Sequence, residues 1–288
     1  YQISKKTNYS LSGRYYLQNQ DTKLYEDSGS VLRGENKLNE WNIRSKLTTK
    51  YNQKWTTYFD LYLTNYLAKE HLNTAQNERY SEASFKQILS ISEFRTSFTP
   101  NQKHSFIGGL GWRNETVDRD LFLVKPTFNS QYIYLQYDAN PNEKLNIVAG
   151  ARFDKHSEYA SQLSPKLAFR YEFSEKLALR ASVGYGFKAP DFRQLYFNFT
   201  NSTVGYTVLG YNAVTTRLEE LEEQGEIRNI VVTQAEFLSP LKPESSLSFN
   251  FGIQSRLHDN LSFDLNIFRN TIQNLIDIRL CSRCCQWS

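Results

Sequence analysis

A strict alternation of apolar and polar positions runs through most of the chain, and it predicts strands. In residues 177–187, Leu177, Leu179, Ala181, Val183, Tyr185 and Phe187 share one face, and Ala178, Arg180, Ser182, Gly184 and Gly186 share the other. The pattern returns with Leu247, Phe249, Phe251 and Ile253 against Ser248, Asn250, Gly252 and Gln254. It returns again with Leu261, Phe263, Leu265 and Ile267 against Ser262, Asp264 and Asn266. A helical period would drop Asp264 and Asn266 among the apolar residues. Upstream, the same reading joins Trp41, Ile43 and Leu47; Trp55, Phe59, Leu61 and Leu63; and Phe106, Leu110 and Trp112. It also joins Leu145, Ile147, Ala149 and Phe153, then Leu167, Phe169 and Tyr171. Residues 9–17, 85–98 and 128–137 fit less cleanly. About eleven strands result, many near the roughly 10 residues of a membrane-spanning barrel strand.

The links between strands alternate in length. Short polar turns are predicted at Asn52-Gln53-Lys54, Pro100-Asn101-Gln102-Lys103, Asn140-Pro141-Asn142-Glu143, Ser174-Glu175-Lys176 and His258-Asp259-Asn260. Long links are predicted at residues 19–39, 68–84, 114–127, 154–161 and 188–243. Within the last, residues 213–223 read as a helix, with Thr216 and Glu219 as a capping box, Gly225 as terminator, and Leu218 and Leu221 docking it. Aromatic residues sit near strand ends at Tyr51, Trp55, Tyr66, Trp112, Tyr137, Phe153, Tyr171 and Phe187, as in an interfacial girdle. The fold class expected is all-β: an antiparallel up-and-down transmembrane β-barrel, partial because eleven is odd where bacterial barrels are even. A soluble β-sandwich shares the alternation but covers its apolar face with a second sheet.

Composition narrows the function. Hydrophobic residues make up 40% and charged residues 22%, which excludes a disordered tail. The absence of a long apolar run excludes a helical membrane protein. The net charge of +4 comes from cations spread along the chain, so no nucleic-acid partner is expected. With no Met and a start at Tyr1, the chain reads as processed or internal. Its cysteines, Cys281, Cys284 and Cys285, lie in a tail, residues 277–288, that breaks the alternation and is read as something other than native continuation. The tail has a C-x-x-C spacing but no second ligand pair, so no zinc site is expected.

The run Gly184-Tyr185-Gly186-Phe187-Lys188-Ala189-Pro190-Asp191-Phe192-Arg193-Gln194-Leu195-Tyr196-Phe197 resembles a signature of the barrel domain of TonB-dependent outer-membrane receptors. Ser164-Pro165-Lys166-Leu167-Ala168 precedes it, and Leu241-Lys242-Pro243-Glu244-Ser245-Ser246 follows, in the order that family shows. Residues 266–276, Asn-Ile-Phe-Arg-Asn-Thr-Ile-Gln-Asn-Leu-Ile, are similar to a further strand end of the family. The resemblance is carried by residues 163–276; upstream it rests on strand pattern.

The resemblance implies a barrel wall over residues 1–276 with an external loop over 188–243, while the family's plug, TonB box and closing strand lie outside this chain. It implies a Gram-negative outer-membrane location, lipid contact, and energy from TonB through the plug. The cargo implied is a scarce ligand, most often a ferric siderophore. Gly184 and Gly186 leave room on the polar face, where a plug would approach, or else mark a bent strand end. Arg170, Arg180, Asn250 and Gln254 share that face. Lys188, Arg193, Tyr196, Phe197, Phe199, Tyr206 and Tyr211 place cations beside aromatics in the long loop, a chemistry that suits an anionic, ring-bearing chelate and equally suits self-packing of the loop. His71 and His156 fall in external links, where they would serve only if haem were the cargo. Phe187-Lys188-Ala189-Pro190 has Lys where the haem-receptor subgroup has Arg, and no Asn-Pro-Asn-Leu follows. No resident cofactor and no catalytic group are expected. The other readings are a passive porin, and a barrel enzyme for which His156 near Asp154 is the one hint.

Overall fold

The computed structural model describes residues 1–25, 30–201, 206–228, 230–232, 234–258, 260–279, 281, 283 and 284. Eleven antiparallel strands form one sheet, each hydrogen-bonded to its neighbours in chain order. They are β1 (Thr7–Tyr25), β2 (Val31–Lys50), β3 (Trp55–Asn73), β4 (Arg79–Asn101), β5 (His104–Arg119) and β6 (Thr127–Asn142). Then come β7 (Leu145–His156), β8 (Gln162–Ser174), β9 (Leu177–Lys188), β10 (Glu244–His258) and β11 (Leu261–Gln273). The sheet is open, with β1 and β11 as its edges. The five short turns fall where the alternation placed them, except that Asp259 lies outside the described residues.

The register carries the alternation across the whole sheet. Trp55 opposes Phe98, Phe98 opposes Phe106, and Phe106 opposes Tyr137. Their rings lie 5.2, 6.3 and 4.7 Å apart in turn, an aromatic row beside the short turns. The same face continues through Ala149, Leu167, Val183 and Phe249. No second sheet covers it: Ile133, Leu135, Phe249 and Leu265 are 57%, 59%, 48% and 53% exposed. A soluble sandwich would bury those side chains, so this face is built to meet lipid.

Four of the long links are shorter than the sequence suggested. Strands β1 and β2 run on until only residues 26–30 separate them, and β3 and β4 until 74–78. The links after β5 and β7 shrink to residues 120–126 and 157–161. Past the apolar band both faces meet water, so alternation stops while the ladder of backbone hydrogen bonds continues. Residues 9–17, 85–98 and 128–137 are strands as well. Their patterns were blurred because β4 turns Ser90 and Ser92 toward the apolar side, and β6 turns Tyr132 and Tyr134 toward the polar side.

Those two tyrosines explain two glycines. Tyr134 opposes Gly109 and Tyr132 opposes Gly111, and a Cβ at either glycine would run into the ring across from it. The rings have nowhere else to go, because Tyr132 and Tyr134 donate hydrogen bonds to the Glu93 carboxylate at 2.7 and 3.2 Å. Gly111→Val is therefore expected to destabilise the sheet by about 1–3 kcal/mol, the usual cost of overpacking. Gly186→Ala should change stability by less than about 0.5 kcal/mol, since a Cβ there meets only Ser246 Oγ at 3.4 Å. Urea titration of the refolded chain, read by tryptophan fluorescence, checks both.

Candidate functional site

The polar face of the sheet is lined by ion pairs. Arg44 Nε donates to Asp60 Oδ1 at 2.9 Å, and Arg14 pairs with Glu40. Three further pairs join an arginine to the acid two residues on, which alternation places on the same face: Arg113 with Glu115, Arg152 with Asp154, and Arg170 with Glu172. Arg180 crosses to Asp264 and reaches Asn266 Oδ1 at 3.2 Å. Asn250 donates to Ser182 at 3.3 Å, and Gln254 stands between Ala178 and Asp264 in the register. The pairs with both groups open to solvent contribute at most about 1 kcal/mol each to stability, whereas Glu115 and Asp154 are buried beneath their arginines. Their effect is to leave a polar wall with little net field.

One part of that wall departs from simple pairing. The Arg95 guanidinium lies 4.6 Å from the Tyr58 ring centre and Lys46 Nζ lies 5.6 Å from it. Next to them Glu93 takes two phenol hydrogen bonds, while Arg152 covers Tyr132 at 3.9 Å. Arg44, Tyr58, Asp60, Tyr62, Glu93 and Arg95 line a recess of ≈ 290 Å³. Sequence reading did not single out this cluster. The Arg-x-acid spacings were visible in the chain, but the meeting of Glu93 with Tyr132 depends on register across strands.

At the other end of β9 the chain leaves the sheet. Pro190 is fully buried, and Asp191 caps the helix α1 (Phe192–Tyr196). Asp191 Oδ1 accepts from the Gln194 N–H at 2.8 Å, and Gln194 Oε1 accepts from the Asp191 N–H at 2.9 Å. This is a capping box, at a place where the sequence reading saw none. Helix α1 lays Phe192 flat on Phe128 at 3.8 Å. Phe128 meets the edge of His156 at 5.0 Å, and His156 stacks on Tyr159 at 4.0 Å. Tyr196 lies 6.4 Å from Phe122 and donates its hydroxyl to Glu158 at 2.7 Å. Phe197 bridges to the Phe122 backbone, under Arg119 at 5.6 Å. The long loop is thereby sewn to the β5–β6 and β7–β8 links.

Beyond it, Asn198–Asn201 pairs with Tyr206–Leu209 in a ribbon that brings Phe199 to 5.9 Å from Phe197 and 6.3 Å from Tyr206. Helix α2 (Val214–Glu223) matches the expected helix within one residue, but its cap does not. A 3-10 turn, Tyr211–Ala213, leads straight into it, and Thr216 sits inside the first turn with no capping role for Glu219. Gly225 terminates it at φ 72°: its N–H donates to Glu222 O, and the Glu226 N–H to Leu221 O. Val214, Leu218, Leu221, Ile227 and Val232 form a small core here, with Cys281 packed against it. Cys284 lies in a two-residue pairing with Ile227, and Cys285 lies outside the described residues.

The residues expected to bind thus fall into two groups. Tyr196, Phe197, Phe199 and Tyr211 hold the lobe together, Tyr211 by donating to Glu236 O at 2.6 Å and Ser239 O at 3.0 Å. Lys188 is tied to Glu244 at 3.2 Å. Arg193 and Tyr206 project outward, Tyr206 with 45% of its surface exposed. Among the described residues no cluster of three or more His, Cys, Asp or Glu forms a metal site. His71 stands opposite Glu35 on the upper part of β3, and His156 Nδ1 accepts the Glu158 N–H at 3.1 Å. Asp154 accepts from Arg152 Nε at 2.9 Å and Nη2 at 2.7 Å, while His156 Nδ1 is taken by the Glu158 N–H, so the two are not paired as acid and base.

Residues 2–285 match the sequence profile of the family described as TonB dependent receptor-like, beta-barrel. The chain belongs to that family. It is 28% identical over 149 residues to the vitamin B12 transporter BtuB of Vibrio cholerae, which covers 51% of this chain and 24% of the relative. It is 25% identical over 252 residues to the probable TonB-dependent siderophore receptor PirA of Acinetobacter baumannii, covering 86% of this chain and 28% of the relative. The chain therefore spans about a quarter of the length of these curated relatives. The crystal structure of PirA from Acinetobacter baumannii aligns with 95% of this chain and 54% of its own, at TM-score 0.51 and 13% identity. The RagAB peptide transporter aligns with 88% of this chain and 33% of its own, at TM-score 0.59 and 12% identity. At such identities the likeness is one of fold. Family membership answers the enzyme reading: this is the barrel of a receptor and transporter family.

Burial holds the His156 ring below its usual range, with Glu158 and Glu115 pulling up and Arg113 pulling down. Burial, with the bond to Glu158, pushes Tyr196 up to about 12. A histidine depressed in the folded state gives stability that is complete above 6.5 and is lost as pH falls through the folded value. Protonation would also break the Glu158 N–H bond to Nδ1. Limited proteolysis of the long loop should therefore accelerate several-fold as pH falls below 6.5, and the His156→Phe chain should show no such acceleration.

Proposed function

We propose that this chain is the wall and external lobe of an outer-membrane receptor of a Gram-negative bacterium, which binds a ferric siderophore and imports it with energy from TonB. Residues 1–276 supply the barrel wall, with 188–243 as its external lobe. The observation that carries the cargo is the outward edge of the lobe: Tyr206 is exposed and lies 6.3 Å from Phe199, Phe199 lies 5.9 Å from Phe197, Arg119 lies over Phe197, and Arg193 is exposed on the helix before them. Cations beside rings suit an anionic, aromatic iron chelate. The siderophore receptor PirA, which matches 86% of this chain, supports the same reading.

The inner wall fits a plug. A Cβ at Gly184 would sit 3.7 Å from Lys166 Cγ, an ordinary contact, so the wall's own packing does not require glycine there. Gly184 and Gly186 instead leave a smooth strip for another element to lie against, between Arg170, Arg180, Asn250 and Gln254.

The match to the B12 transporter favours cobalamin as the second reading. Intrinsic fluorescence of the detergent-solubilised chain, titrated with a ferric catecholate siderophore or with cyanocobalamin, separates the two. Ferric catecholate should quench at the lower concentration, and Arg193→Ala with Tyr206→Ala should weaken it about tenfold, the loss of one cation–π contact. Tighter quenching by cyanocobalamin, indifferent to both substitutions, would sink the siderophore reading.

A further inference from the structure

Above the lipid-facing band, the outward face of β2, β3 and β4 turns basic. Climbing each strand from its short turn, the first charged residue on that face is Lys37 on β2, Lys69 on β3 and Lys86 on β4. The register fixes the shared face: Ile43 opposes Leu63 and Phe59 opposes Phe94, and steps of two residues lead from these to the lysines. Lys37 and Lys69 are direct cross-strand partners, and Lys86 opposes Leu67 on one side, one step from Lys69, and Asp118 on the other. Like charges set opposite each other destabilise a sheet.

The acids nearby are already engaged. Glu35 pairs with Lys37 at 2.6 Å, Asp118 with Lys125 at 2.5 Å, and Glu82 with Arg79. The rung above the lysines carries Asp21, Glu35, His71 and Glu82, and the rung above that sets Lys23 against Arg33. Lys69 and Lys86 have no ion-pair partner among the described residues. Lys69 is exposed, and the Lys37 side chain keeps 57% of its surface open.

We propose that Lys37, Lys69 and Lys86 form a binding surface for the phosphates of an outer-leaflet lipid. The occupant is a lipid because the lysines begin where the apolar band ends. A phosphate held there sits at head-group depth, with its acyl chains against Trp41, Leu63, Leu67 and Ile88. Each ammonium near a membrane surface adds attraction for anionic head groups, and the like-charged rung is relieved when one fills it. This rests on the outer-membrane reading above.

The chain, refolded in zwitterionic detergent, is titrated with bisphosphorylated lipid A, with its dephosphorylated form and with inorganic phosphate, binding being read by native mass spectrometry. The bisphosphorylated lipid should bind best, and Lys69→Gln with Lys86→Gln should weaken it roughly 30-fold, as loss of two surface cations implies. Lys54→Gln, at the opposite rim, should leave it unchanged. Equal binding of the dephosphorylated lipid, an unchanged affinity in the double variant, or displacement by inorganic phosphate at equal concentration would overturn the assignment. Insertion of each chain into bilayers, read by strand content, is measured in parallel. A chain that does not insert overturns the barrel reading and this one with it, whereas an inserting chain indifferent to lipid phosphate overturns this one alone.

Discussion

Backbone pairing is the constraint on which the rest of this molecule depends. A sheet facing hydrocarbon cannot leave N–H and C=O groups to water, so each strand must be bonded on both sides along its length. The simplest solution is the one observed, with each strand from β2 to β10 paired to both chain neighbours and β1 and β11 left as the edges of the open sheet. Strict period-two patterning follows, because a slip of one residue would turn Phe249, Phe251 and Ile253 inward and Asn250, Gly252 and Gln254 into lipid. The 56-residue gap in sequence between Lys188 and Glu244, which nonetheless pair, shows the strength of the constraint. The whole external lobe is inserted between two strands whose register takes no notice of it.

Legibility in the sequence follows the same physics. Where one face meets lipid and the other the lumen, alternation is enforced, and the strands from Leu145 onward were readable residue by residue. Above the band nothing enforces it, so residues 19–25 and 31–39 looked like loop although they are paired throughout. Two stretches fit the spacing of a capping box, Asp191 with Gln194 and Thr216 with Glu219. Only the first closes, because the 3-10 turn ahead of α2 already carries the chain into helical conformation before Thr216. Lumen pairs separated by two residues were implicit in the alternation. Glu93 with Tyr132 and Tyr134 was not, since their contact is set by the stacking of β4, β5 and β6.

The wall and the lobe are held by different forces. On the wall, the backbone ladder fixes each side chain's place, and most polar groups are matched by neighbours one rung or two residues away. In the lobe the only paired stretches among the described residues are short, such as Asn198–Asn201 with Tyr206–Leu209, and rings do most of the ordering. Phe192 on Phe128, His156 on Tyr159 and Tyr196 beside Phe122 join three links that share no strand. Each ring pair contributes about 0.5–1.5 kcal/mol beyond its buried area. That is enough to hold a short helix against the rim, yet far below the cost of breaking a strand from the sheet. The lobe is therefore the part that can rearrange while the wall stays fixed.

This division bears on selectivity. Along the wall, Arg14, Arg44, Arg113, Arg152, Arg170 and Arg180 each face an acid, which matches most of its charge, while Lys46 and Arg95 rest on the Tyr58 ring. At the rim the pairing is different, because Arg119 rests on the faces of Phe85 and Phe197 and Arg193 is exposed with no ion pair among the described residues. The proposed ligand contacts therefore fall in the lobe. The wall supplies a route that is polar without being sticky. On the siderophore reading proposed above, an anion would be held at the mouth and would meet a wall below it whose charges are largely matched.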